Sequence, residues 1–148
     1  MAAPSPVAGY PAAAGSSSIS PLPKDLRVLM VDNAIAMLGQ PYHYGGAAPG
    51  GFDCSGLVVY AANGAGVRLP RTAREQFGIG RHVARGELQA GDLVFMHLAH
   101  KELHVGIAID AERFVHAPST GGAVRIDTLA SPPYSKGFLG ARRIPLAQ

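Results

Sequence analysis

The hydrophobic period of this chain changes once, near Gly80. Before that point apolar residues recur at spacings of three and four, the period of a helix. After it they come in short runs divided by turn residues, the texture of strands. Over residues 24–38, Leu26, Leu29, Met30, Asn33, Ala34 and Met37 share one helical stripe, and Gly39 then Pro41 stop it. The segment CSGLVVYAANGAG predicts a second helix, with Leu57, Val58, Ala61 and Ala62 on one apolar face and Gly64 and Gly66 at its end. A third, short helix is predicted over 72–77, with Thr72 as its cap. Strands are predicted over 92–98, 104–110, 113–116, 123–126 and 137–144, parted by LQAGD, IDAER and PSTGG. Helices first and strands after predict an α+β domain, its N-terminal helices packed on a mostly antiparallel meander.

The remaining composition narrows the class. The 148 residues suit one domain, and 47% hydrophobic residues suffice for its core. Residues 1–23, rich in Ala, Pro, Ser and Gly, read as a flexible tail or linker ahead of a domain over 24–148. The tail lacks a basic start followed by a continuous apolar stretch, so it is not an intact secretory signal. A run of about 18 apolar residues is absent, so no integral membrane span is expected. The net charge of +3 is scattered, with Arg142 and Arg143 the only adjacent cations, which argues against nucleic acid as a partner. Such a surface suits an anionic polymer or ordinary solvation equally.

The chain has one cysteine, so an intramolecular disulfide and a multi-thiolate zinc site are excluded. That residue, Cys54, opens the second predicted helix directly after the glycine-rich YHYGGAAPGGFD. A thiol in the first turn of a helix meets unpaired backbone N–H groups, which favour its thiolate, the nucleophilic form. Asp53 is placed to cap the same amides, and Gly56 leaves room for a close approach. A buried structural cysteine is the alternative reading. A thiol nucleophile needs a base, and the base needs an orienting group. Of six histidines, His104 opens one predicted strand and His116 closes the next, with a turn at 110–112 between them. These two are expected to be cross-strand neighbours within side-chain reach. His97, His100 and His104 are also spaced to hold zinc, provided the segment were helical; its alternating, β-branched character predicts strands instead. Arg71 reads as part of the turn into the third helix, Asp92 as a turn residue, and Arg142 with Arg143 as a solvated pair; Tyr44 and Phe52 either line a cleft or pack the loop.

Taken in order, PYHYGG, GFDCSGLVVY, LPRTAREQ, GDLVFM, HVGI, FVHAP and ARRIP resemble the NlpC-type peptidoglycan endopeptidases, papain-like cysteine peptidases of bacterial walls. The resemblance covers about residues 24–145. It implies a papain-like fold with Cys54 as nucleophile, His104 as general base and His116 as the third polar residue that orients it. It also implies a role for Tyr42 near the oxyanion and for Asp53 and Ser55 in binding substrate. Peptidoglycan stem peptides are the implied substrate, with no metal or organic cofactor, and the implied place is the periplasm or cell envelope. A monomer is expected. Two further readings stay open: a catalytically silent module that only grips stem peptides, and the same thiol chemistry on another acyl group.

Overall fold

The computed structural model describes residues 22–99, 101–119 and 122–145. The segment read as a tail therefore lies outside the described residues, except for its last two positions, where helix α1 (Leu22–Ile35) has already begun. The helix stops short of Leu38. Met37 and Leu38 donate three residues back, to Ala34 and Ile35, and Gly39 at φ +90° turns the chain away. Helix α2 (Cys54–Asn63) buries Leu57, Val58, Ala61 and Ala62, the face read from the sequence. Asn33 explains its own place on the α1 stripe: its side-chain amide donates to the Ala61 carbonyl at 3.0 Å, fastening α1 to α2. Helix α3 (Ala73–Gln76) is held by Thr72 in a reciprocal capping box with Glu75.

Strands β1 (Ala47–Ala48) and β2 (Gly51–Phe52) form a small hairpin inside the glycine-rich loop. The main sheet holds β3 (Arg81–Val83), β4 (Leu93–Leu98), β5 (Lys101–Ala108), β6 (Arg113–His116), β7 (Arg125–Thr128) and β8 (Phe138–Arg143). Its order is β3-β8-β4-β5-β6-β7, and every pairing is antiparallel. The predicted meander thus holds from β4 to β7. The last strand departs from it, returning to the far side of β4 and taking β3 as the outer neighbour.

Both faces of the sheet are covered. Leu93, Phe95, Val105, Ile107 and Val115 pack with Met30, Ala34, Leu57, Val58 and Ala61 beneath α1 and α2. Val94, Met96, Ala108, Phe114 and Ala141 pack on the other side with Leu88, Leu129 and Tyr134, the last from the one-turn helix α4 (Tyr134–Gly137). Burial on both faces is why 92–98 reads as a continuous apolar run rather than an alternating one. Each fully buried large apolar side chain adds roughly 1.5–3 kcal/mol over leaving it exposed.

Two expectations are corrected here. Asp92 does more than shape a turn. It is fully buried, accepts the Gln89 N–H at 2.8 Å, and takes a forked pair of bonds from Arg143 Nε and Nη2, each 2.8 Å. Arg143 is therefore no solvated cation but a clamp between β8 and the start of β4. Arg142, its neighbour, lies over the Phe77 ring at 5.4 Å.

Candidate active site

The local sequence around Cys54 folds into a tight knot. Asp53 caps α2: its Oδ1 accepts the Gly56 N–H at 2.7 Å, while Oδ2 accepts the Gly45 N–H at 3.0 Å. Gly56 cannot be larger, because a Cβ there would run into the Gly46 carbonyl oxygen. Arg71 then locks the knot, donating to Asp53 Oδ2 and to Ser55 Oγ, both at 2.9 Å. Burial pushes the Asp53 carboxyl upward. The Arg71 and Gly56 hydrogen bonds, with the Arg71 charge and the Gly45 N–H, outweigh it and hold the group below the usual carboxylate range. Arg71, read as a turn residue, thus grips both neighbours of Cys54.

Cys54 forms no disulfide, and its thiol is buried, at 3% exposure. It lines a cavity of about 840 Å³ together with Tyr44, Asp53, Ser55, Arg71, His97 and Leu103. Tyr44 lines the cleft rather than packing the loop, and is 87% exposed. Phe52 takes the other alternative: it is fully buried, edge-on to Tyr60 at 5.2 Å. Tyr42 sits beside it in a parallel bridge, half-buried against the main core.

The strand side of the site follows Leu103. His104 and His116 are both buried, and His104 Nε2 lies 2.7 Å from His116 Nδ1. The two are cross-strand neighbours within side-chain reach, as expected, and they meet diagonally. The loop 110–112 is closed by the Ile109 N–H on the Arg113 carbonyl, and Ala108 faces Phe114. Continued, that register sets His116 opposite Gly106, so His104 reaches it diagonally. Gly106 makes room: a Cβ there would stand 3.1 Å from the His116 Cβ and 2.8 Å from the Phe114 ring.

The chain of contacts continues to a residue the sequence reading missed. His116 Nε2 lies 2.7 Å from Asp127 Oδ2, which also accepts Arg125 Nε at 2.7 Å. Burial drives the His116 pKa down to about 4, against the pull of Asp127, so the ring is neutral at pH 7. Burial works the opposite way on Asp127, but bonds from His116 and Arg125 hold it below its ordinary value. Asp127 fell outside the predicted strand, since the observed β7 starts two residues later than 123–126. Arg125, Ile126 and Asp127 do alternate polar and apolar after the PSTGG turn, and that was the available signal.

His97 lies on β4 and His104 on β5, not on one helix, so the helical condition for a three-histidine zinc set is not met; His100 lies outside the described residues. Among the described residues, no group of three or more His, Cys, Asp or Glu is arranged to hold a metal, and no helix is long and apolar enough to cross a membrane.

A lone thiol at a helix start, over an antiparallel sheet that carries a histidine pair, defines an α+β domain of the papain-like class. The chain belongs to the NlpC/P60 family, whose model matches residues 39–143. It is 46% identical over 113 residues to the probable endopeptidase YafL of Escherichia coli, covering 72% of this chain and 45% of that one. Against the murein DD-endopeptidase MepH of the same organism, identity is 36% over 120 residues, covering 77% and 44%. The solved structure of the peptidoglycan hydrolase RipB from Mycobacterium tuberculosis superposes with a TM-score of 0.71 at 29% identity, covering 82% of this chain and 66% of that one. The chain spans less than half the length of these two curated relatives.

Proposed function

We propose that this domain is a cysteine endopeptidase that hydrolyses peptide bonds in the stem peptides of peptidoglycan. The observation that carries the reading is the position of the single thiol: it is capped into the first turn of α2 and lines the cavity, on the helix that packs over β5 and β6, the two strands that bear the histidine pair. In the proposed reaction His104 takes the Cys54 proton, and the thiolate attacks the peptide carbonyl carbon. The Cys54 N–H and the Tyr42 hydroxyl stabilise the oxyanion; one such donor is typically worth about 3–4 kcal/mol of barrier. The tetrahedral intermediate collapses, His104 gives its proton to the leaving amine, and water hydrolyses the thioester. His116 holds the His104 ring in position. Asp53 and Ser55, tied by Arg71, contact the substrate at the cavity wall.

The bond we propose is the D-Ala–diaminopimelate crosslink, with the D-Glu–diaminopimelate bond as the alternative. The name of MepH supports the first. The site of action that follows is the periplasm or cell envelope, and the enzyme acts as a monomer. Purified crosslinked muropeptides, incubated with the protein and read by mass, test the reading. Uncrosslinked products, lost on thiol alkylation and retained with a chelator, are expected. Activity that vanishes with chelator but survives alkylation overturns the thiol mechanism, and cleavage between D-Glu and diaminopimelate moves the assignment to the other bond.

A further inference from the structure

Three groups meet on the sheet beyond the nucleophile: His104 from β5, His116 from β6 and Asp127 from β7. Asp127 is itself clamped, by Arg125 Nε at 2.7 Å and by the Tyr134 hydroxyl of α4 at 3.4 Å, while Arg125 Nη2 reaches the same hydroxyl at 3.3 Å. The His116 ring is enclosed edge-on by Tyr134 and tilted against Phe114, with centroids 5.3 and 4.5 Å away. The charged and titratable groups around His116 are therefore His104, Asp127, Arg125 and Tyr134.

We propose that Asp127 is a positioning residue for the reaction: through His116 it fixes which ring nitrogen of His104 carries the proton. An ionised carboxylate can only accept, so His116 Nε2 must donate to Asp127. A neutral imidazole carries one proton, so His116 Nδ1 is then a bare acceptor. His104 Nε2, 2.7 Å from it, must donate. The lone pair of His104 is left on Nδ1, which is buried. Each link leaves one option to the next, and the order is set from the Asp127 end. The burial of His116 and the lowered pKa of Asp127 both favour these protonation states at pH 7. The inference rests on the reading of His104 as base.

Two measurements test it separately from that reading. Spectra of ¹⁵N-histidine-labelled protein report ring tautomers without turnover. Both His116 and His104 are expected to be protonated on Nε2, and a wild-type His116 protonated on Nδ1 overturns the proposal, whether or not any variant folds. Kinetics on crosslinked muropeptides give the second test. Asp127→Asn, which keeps the shape but offers an N–H to His116, is expected to lower kcat about 100-fold with KM within about twofold. Asp127→Glu is expected to recover part of that loss. An unchanged kcat in Asp127→Asn, or a loss confined to KM, contradicts the assignment. Wild-type protein with the stated tautomers but no thiol-dependent cleavage sinks the enzymatic reading and leaves the hydrogen-bond chain standing.

Discussion

On the helix side of the cavity Asp53 is ionised, and its partner Arg71 has a side chain 39% exposed. On the strand side His104 and His116 are 1% and 0% exposed, and their chain reaches a charge only at Asp127, whose side chain is 27% exposed. One wall of the site is wet and charged; the other is dry, with His116 neutral at its centre. Water at the rim screens the Asp53–Arg71 pair, so it adds little stability and shapes the wall instead. Burial of an imidazole opposes its charge, so the histidine side controls proton position by hydrogen bonding rather than by ion pairing. The two walls should therefore fail in different ways.

The largest expected break is on the dry wall. His104→Ala should lower kcat/KM by about 10³–10⁴-fold, nearly as much as loss of the thiol, because nucleophile and base act as a unit. A mild loss in muropeptide assays would mean another base. Next is acid stability. Folded His116 titrates at about 4 against an ordinary 6.5. Between those pH values the unfolded chain binds a proton that the folded one refuses. Stability in urea should thus fall as pH drops from about 6.5 to about 4, by up to about 3 kcal/mol, and His116→Gln should flatten that window. The wet wall behaves otherwise: Asp53 sits below its usual value, so its contribution is kept above the ordinary carboxylate range and lost only as pH falls through the lowered one. Equal acid sensitivity of both walls would erase the contrast.

Smaller effects sharpen it. His116→Ala should reduce kcat about 10–100-fold, less than His104→Ala, since an orienting group contributes less than the reacting pair. Asp53→Ala should cost about 1–2 kcal/mol in urea unfolding through loss of the α2 cap. Arg71→Ala should change stability by about 0.2–1 kcal/mol, typical of a part-exposed pair, with its main effect on KM. A larger stability loss for Arg71→Ala than for Asp53→Ala would show that the pair, not the cap, holds the wall.

The helix wall was the more legible in sequence because its rules are local. Asp53 before Cys54, and Thr72 before the third helix, are read from neighbours one to three residues away. The strand wall depends on register, which a sequence leaves loose. His104 and His116 were read as cross-strand neighbours without their diagonal offset, and Asp127 was missed because β7 begins at Arg125. The Asp92–Arg143 clamp joins residues 51 positions apart, and nothing near either one announces the other. Strand β3 was not read, being three residues long with two of them exposed on the outer edge.

The central claim is that Cys54 is the nucleophile, and it has one direct test. Wild-type protein and Cys54→Ala, matched in folded content by circular dichroism, are incubated with crosslinked muropeptides and the products weighed. Wild type should give stem-peptide cleavage, while Cys54→Ala gives none and melts as wild type does. Turnover by folded Cys54→Ala near the wild-type rate would contradict the account.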